Sequence, residues 1–141
     1  MNYSSSVDVP VQSDVIRPFV ENLSAYPAWM PMVHQVVALS DDVWSVELRA
    51  KVGVFARSKA LRMRRTMNDD NVIVFEREED DNRQHSPWVM RVALSPSVAG
   101  TNVTIDLSYG GTLWTAGILD RVLASQVDAG KAGLLRVVLN A

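Results

Sequence analysis

Apolar and polar residues alternate along most of this chain, and only its C-terminal stretch follows a longer period. Tyr3, Ser5, Val7 and Val9 alternate with Ser4, Ser6 and Asp8, the pattern of a short strand with one buried face. Pro10 ends it. Ser13 reads as the cap of a helix reaching about Leu23, with Val15, Ile16, Phe19, Val20 and Leu23 apolar. Pro18 falls in the second turn and predicts a weakened or bent helix. In residues 25–32, Pro27 and Pro31 leave room for one short helical turn among Tyr26, Trp29, Met30 and Met32. A strand follows from Val33 through Leu39. The adjacent Val36 and Val37 break its alternation and leave the face of His34 open.

Ser40, Asp41 and Asp42 form a turn, after which Trp44, Val46, Leu48 and Ala50 alternate with Ser45, Glu47 and Arg49. Gly53 marks a break or a bulge before a long strand over 54–67. Asn68, Asp69, Asp70 and Asn71 are strong turn residues, so 72–78 pairs back as a hairpin. The charge run at 76–81 is expected to be a solvated hairpin end. Trp88, Met90, Val92 and Leu94 alternate next. Pro96 and Gly100 bracket a turn, and Val103, Ile105, Leu107 and Tyr109 then alternate with Thr104, Asp106 and Ser108. Consecutive strands joined by short turns predict an antiparallel sheet.

Residues 112–139 change the period. Leu119, Leu123, Val127, Gly130, Leu134 and Val138 recur at three- and four-residue steps, with Val122 and Val137 widening the stripe. Thr112 or Thr115 can cap the start of this helix. At 1.5 Å per residue it would be roughly 40 Å long. One apolar face of that length needs a large partner, and a sheet curved around it is the partner the strands supply. Gly130 and Gly133 each cost a helix about 1 kcal/mol relative to alanine. Close packing against the sheet explains them, and so does room left for a ligand.

The element order, with Tyr26-Pro27-x-Trp29-x-Pro31 after the first helix, resembles the START/Bet v 1-like superfamily. The likeness is closest to its bacterial polyketide cyclase/dehydrase and lipid-transport (SRPBCC) branch. Phe75-Glu76-Arg77 with His85-Ser86-Pro87-Trp88, and Leu107-Ser108-Tyr109-Gly110-Gly111-Thr112-Leu113-Trp114, are similar to short actinobacterial members of that branch. The resemblance spans nearly the whole chain and implies one α+β domain over 1–141 with a helix-grip fold. In that fold a seven-stranded antiparallel sheet wraps around the long C-terminal helix, two short helices follow strand 1, and an apolar cavity lies between sheet and helix. The superfamily includes lipid and sterol carriers, plant hormone receptors, polyketide aromatase/cyclases and quinone-binding proteins. It has no common catalytic motif, so no catalytic residue is carried over.

Composition narrows the chemistry. The 141 residues are 48% hydrophobic and 21% charged, with a net charge of −2. That balance suits a soluble domain with a real core and gives no electrostatic reason to expect nucleic acid. The chain has no cysteine, which excludes disulfides and thiol chemistry. Its first residues lack a signal-peptide pattern and no apolar run spans a membrane, so a cytoplasmic protein is expected. The two histidines, His34 and His85, are far apart and show no ligand spacing. No metal and no cofactor is therefore expected.

The candidate ligand-binding residues follow from the inner faces of these elements. The segment after the first helix offers Trp29 and Met32, and the middle strands offer Leu48, Leu61, Met63 and Phe75. The last two strands offer Trp88, Met90, Ile105, Leu107 and Tyr109, and the long helix offers Leu123, Val127 and Gly130. For each of these, core packing is the plainer explanation. As a group they suit a concave apolar site with few polar groups. Arg65 shares the parity of Leu61 and Met63 and should face inward, with Arg62 and Arg64 outward. An inward arginine needs a partner. Glu76 or Arg77 of the hairpin partner lies opposite, depending on the turn length. A salt bridge across the sheet to Glu76 fits, and so does an anchor for a ligand carboxylate or carbonyl. The preferred function is binding of a small hydrophobic or aromatic molecule by a monomer or homodimer, with 27–32 at the entrance. A polyketide aromatase/cyclase or dehydrase drawing on Tyr109, His85 or Glu76 is the alternative. A module that binds a protein partner through an edge strand or the 27–32 surface is a third reading.

Overall fold

Strict alternation makes the sheet. The computed structural model describes residues 2–52, 55–110 and 116–141, and their side chains except those of 52, 55–57 and 116–123. β1 (Asn2–Val9) leads into α1 (Ser13–Val20) and a 3-10 helix (Leu23–Ala28). Six further strands follow: β2 (Val33–Ser40), β3 (Val43–Val52), β4 (Phe55–Asn68), β5 (Val72–Arg77), β6 (Trp88–Pro96) and β7 (Thr101–Tyr109). The chain closes with α2 (Ala116–Leu139). All the strand pairs are antiparallel, in the order β1-β7-β6-β5-β4-β3-β2. β2 to β7 are sequential neighbours in the sheet, with the longest connection, residues 78–87, between β5 and β6. The two helices after β1 carry the chain across the sheet, so β1 and β2 end up on opposite edges.

One face of the sheet is apolar. It carries Trp44, Val46 and Ala50 of β3, Leu61 and Met63 of β4, Ile73 and Phe75 of β5, and Trp88, Met90, Val92 and Leu94 of β6, all buried. Val103 and Tyr109 of β7 join them. The other face is polar. Ser6 and Thr104 are hydrogen-bonded at 2.7 Å, Arg91 lies 3.8 Å from Asp106, and Arg64 bridges Asp42 at 3.1 Å and Glu78 at 2.9 Å. Exposed pairs of this kind contribute about 0–1 kcal/mol each, against about 1.5–3 kcal/mol for each fully buried large apolar side chain. Burial therefore sets the faces of β3 to β7, and Asp106 lies outside as the alternation predicts, whereas on the edge strand β2 only Val33 is buried.

α2 presents Gly130, Leu134 and Val138 as buried residues and Val127 as half-buried, at the predicted three- and four-residue steps. The expected cap at Thr112 or Thr115 and the Gly53 break fall outside the described residues. So do Trp114 and the side chains of Leu119, Val122 and Leu123. Among the described residues no helix is long and apolar enough to cross a membrane.

Two expectations are corrected here. α1 stops at Val20 and Ser13 lies inside it. The residue before it, Gln12, makes no capping side-chain bond. The chain instead restarts at Asn22, whose side chain accepts from the Ser24 N–H at 2.9 Å and caps the 3-10 helix. The charge run at 76–81 is not solvated throughout. Arg77 pairs with Met63 in the ladder and so sits on the inner face, and its side chain is only 8% exposed beside Glu79 at 18%.

Candidate functional site

The inner face of the sheet does not meet α2 everywhere. A hollow of about 80 Å³ remains, lined by Met30, Met32 and Val33 below the 3-10 helix, Val46, Leu48, Leu61 and Met63 of β3 and β4, and Trp88, Met90, Ile105 and Leu107 of β6 and β7. Tyr3, Leu23, Tyr26, Gln126 and Val127 complete the wall. None of these residues is charged. A second hollow of about 30 Å³ lies further along the helix against Trp29, Val103, Gly130 and Leu134. Met30, Ile105 and Val127 border both hollows, so these three side chains are the partition between them.

Trp29 fixes how closely α2 approaches. It is 1% exposed, its indole N–H donates to the Phe19 carbonyl at 2.9 Å, and its ring lies 4.6 Å from that of Tyr26. A Cβ on Gly133 would overlap the Trp29 carbonyl oxygen and stand 2.9 Å from its carbonyl carbon. A Cβ on Gly130 would meet only the Trp29 ring, at 3.9 Å. The two helix glycines thus have different causes. Gly133 permits backbone-to-backbone packing, and Gly130 borders the smaller hollow.

Arg65 faces inward as its parity requires, but it is not among the lining residues. Its guanidinium donates to the Glu21 carbonyl at 2.6 Å and stands 5.5 Å from the centre of the Trp44 ring. Glu76 is not its partner. A register shift between Arg65 and Met67 places Phe75 opposite Arg65 and Glu76 opposite Arg64 on the polar face. The same bulge leaves Met67 47% exposed. Arg65 belongs to the outer groove formed with Ser40, Asp41 and Asn22.

The acid–base candidates also lie away from the hollow. His85 is bound by Asp81, with Nε2 at 2.9 Å, and by Arg77, whose guanidinium is 3.2 Å from Nδ1. The His85 hydrogen bond and the Arg83 backbone N–H hold the Asp81 carboxyl below its ordinary range. Burial would raise the Glu79 carboxyl, but the Arg62 backbone N–H and the Arg77 guanidinium together hold it below its ordinary value. Tyr109 is buried and stacks on Trp88 at 5.1 Å. Tyr26 does line the hollow. Burial drives its phenol far above the ordinary range, and its hydroxyl donates to the Val20 carbonyl at 2.8 Å.

The wall therefore brings together Met32, Leu48, Leu61, Met63, Trp88, Met90, Ile105, Leu107 and Val127 of the sequence candidates. Trp29 and Gly130 belong to the smaller hollow. Phe75 lies in the core against Tyr26 and Trp44, with ring centres 6.1 and 5.8 Å apart. Leu123 lies outside the described side chains. Sequence reasoning missed Gln126, the polar residue of the wall on the helix. Its spacing carried the signal, since it precedes Gly130 by four residues and Gly133 by seven.

No family model and no curated protein sequence matches this chain. Solved structures do. A START superfamily protein from Mycobacterium smegmatis superposes with a TM-score of 0.79 at 16% identity, over 99% of this chain and 97% of its own. A conserved protein from Geobacillus kaustophilus gives 0.78 at 10% identity, over 99% and 96%. The ZhuI aromatase/cyclase from Streptomyces sp. R1128 gives 0.66 at 13%, over 98% and 93%. The chain has the helix-grip fold of the START/Bet v 1-like superfamily.

Proposed function

We propose that this protein binds a small hydrophobic or aromatic molecule in the hollow between the sheet and α2. The observation that carries the reading is a wall that holds no charged residue among the described residues, left open under a helix that packs tightly elsewhere. Apolar burial gains about 25 cal/mol per Å² before the costs of association. The size of the hollow matters. About 80 Å³ is roughly half of the ~150 Å³ that accepts benzene in an engineered apolar cavity. A single ring therefore requires side chains to move. Met30, Met32, Met63 and Met90 supply that adaptability, because an unbranched thioether repacks at little cost. The fold is shared with an aromatase/cyclase. Yet Tyr109, His85 and Glu76, the acid–base candidates, are not wall residues, and this favours binding over proton transfer. The test is titration with toluene, followed by calorimetry and by methyl NMR of the four methionines. Saturable binding with a negative heat-capacity change is expected, lost in Val127→Phe, which fills the partition. No saturable binding to the wild-type chain would refute the proposal.

A further inference from the structure

Two polar atoms are buried without a hydrogen-bond partner among the described residues, and both belong to residues that line the same hollow. They are the indole Nε1 of Trp88 and the amide Oε1 of Gln126. Trp88 is 6% exposed and held in place by its stack on Tyr109. A buried donor or acceptor left unmet carries the full cost of its desolvation. Apolar side chains would have filled both positions without that cost, so the pair points to a ligand that supplies the missing partners. Trp88 offers only a donor and needs an acceptor. The Gln126 oxygen needs a donor, and rotation of the amide would exchange this demand for the opposite one. A hydroxyl both accepts and donates, so it meets every one of these demands. With no charged residue in the wall among the described residues, an ionised ligand would find no counter-charge there.

We infer that the hollow recognises an uncharged, mostly apolar molecule through a hydroxyl group, of phenol or alcohol type, that accepts from Trp88 Nε1–H and donates to Gln126 Oε1. The inference rests on the binding reading above. It also replaces Arg65 as the polar anchor, since Arg65 is engaged with Glu21 and Trp44. A water molecule can make the same two bonds. A ligand hydroxyl reproduces them on displacing it, whereas a methyl group does not.

Phenol and toluene, equal in heavy atoms, are the probes. Their affinities for the wild-type chain and for Gln126→Leu give a selectivity ratio in each. The ratio should fall roughly tenfold in favour of toluene in the variant, the loss expected for one buried hydrogen bond. In the wild-type chain the assigned Trp88 indole N–H resonance should move downfield with phenol and not with toluene, which tests the donor arm without altering Trp88. If toluene binds but the ratio is the same in both chains, or the indole resonance responds alike to both probes, the hydroxyl inference is overturned and the apolar-binding reading stands. If neither probe binds the wild-type chain, both fall.

Discussion

Two glycines three residues apart on one helix should respond to the same substitution with opposite sign. Alanine at either position gains about 1 kcal/mol of helix propensity. At Gly130 the new methyl group meets the Trp29 ring at an ordinary 3.9 Å and enters the small hollow. That burial adds about 0.8 kcal/mol for one carbon. Gly130→Ala should therefore stabilise by about 1–2 kcal/mol. At Gly133 the methyl group would overlap the Trp29 carbonyl oxygen and lie 2.9 Å from its carbon. The obstacle is backbone, held by the Trp29 indole bond to Phe19 and by the 3-10 helix, so no side-chain rotation relieves it. Overpacking costs about 1–3 kcal/mol or more, and α2 must also retreat from contacts that bury Leu134 and Val138. The net for Gly133→Ala should be a loss of about 1–3 kcal/mol. For a chain of this length 1 kcal/mol moves the melting temperature by about 3 °C. Thermal melts should show Gly130→Ala about 3–6 °C above the wild type and Gly133→Ala about 3–9 °C below it. Equal stabilisation by both would mean that α2 does not pack on the Trp29 backbone, and the position of the hollow would be wrong with it.

Arg65→Met removes a charge-assisted hydrogen bond to Glu21 and a contact over Trp44, and should cost about 1–2 kcal/mol in urea melts while toluene affinity is unchanged. Weakened toluene binding at unchanged stability would return Arg65 to the site. Glu79 has its folded pKa lowered, so its contribution is present above the ordinary carboxylate value of 4.5 and is lost as pH falls through the lowered value. Asp69 and Asp81, also lowered, act with the same sign. Melting temperature should drop below about pH 4.5 in the wild type and less steeply in Glu79→Gln, and identical acid limbs would show that the Arg77–Glu79 contact does not favour folding.

The sheet was legible because a strand has a strict period of two. Val103 and Tyr109 could be assigned to the buried face, and Asp106 to the outer one, from their neighbours alone. Parity also placed Arg65 inward. Parity does not name a partner, and for inward charges the partner is what decides the role. Arg65 finds the Glu21 carbonyl, contributed by the stretch between α1 and the 3-10 helix, and the bulge after it removes Glu76 from reach. Arg77 finds Glu79 and the Ser86 carbonyl, both from the segment beyond β5. Loops supply these partners, and no periodicity fixes where a loop atom falls.

The helix shows the same boundary between what a pattern carries and what the fold adds. Gly130 and Gly133 look alike in sequence, each beside an alanine and each on or near the inner stripe. Their difference comes from Trp29, about a hundred residues earlier, whose backbone meets one and whose ring meets the other. Gln126 lies on that stripe at the right spacing, but polarity hid it from a search for apolar periodicity. A buried polar residue on an apolar face is a cost that the fold does not need, and that cost makes it informative about a ligand. The apolar wall explains why a hydrophobic molecule would enter. Among the described residues, the two unmet polar atoms are what distinguish among the molecules that could, and one of them sits on the residue that the hydrophobic pattern passed over.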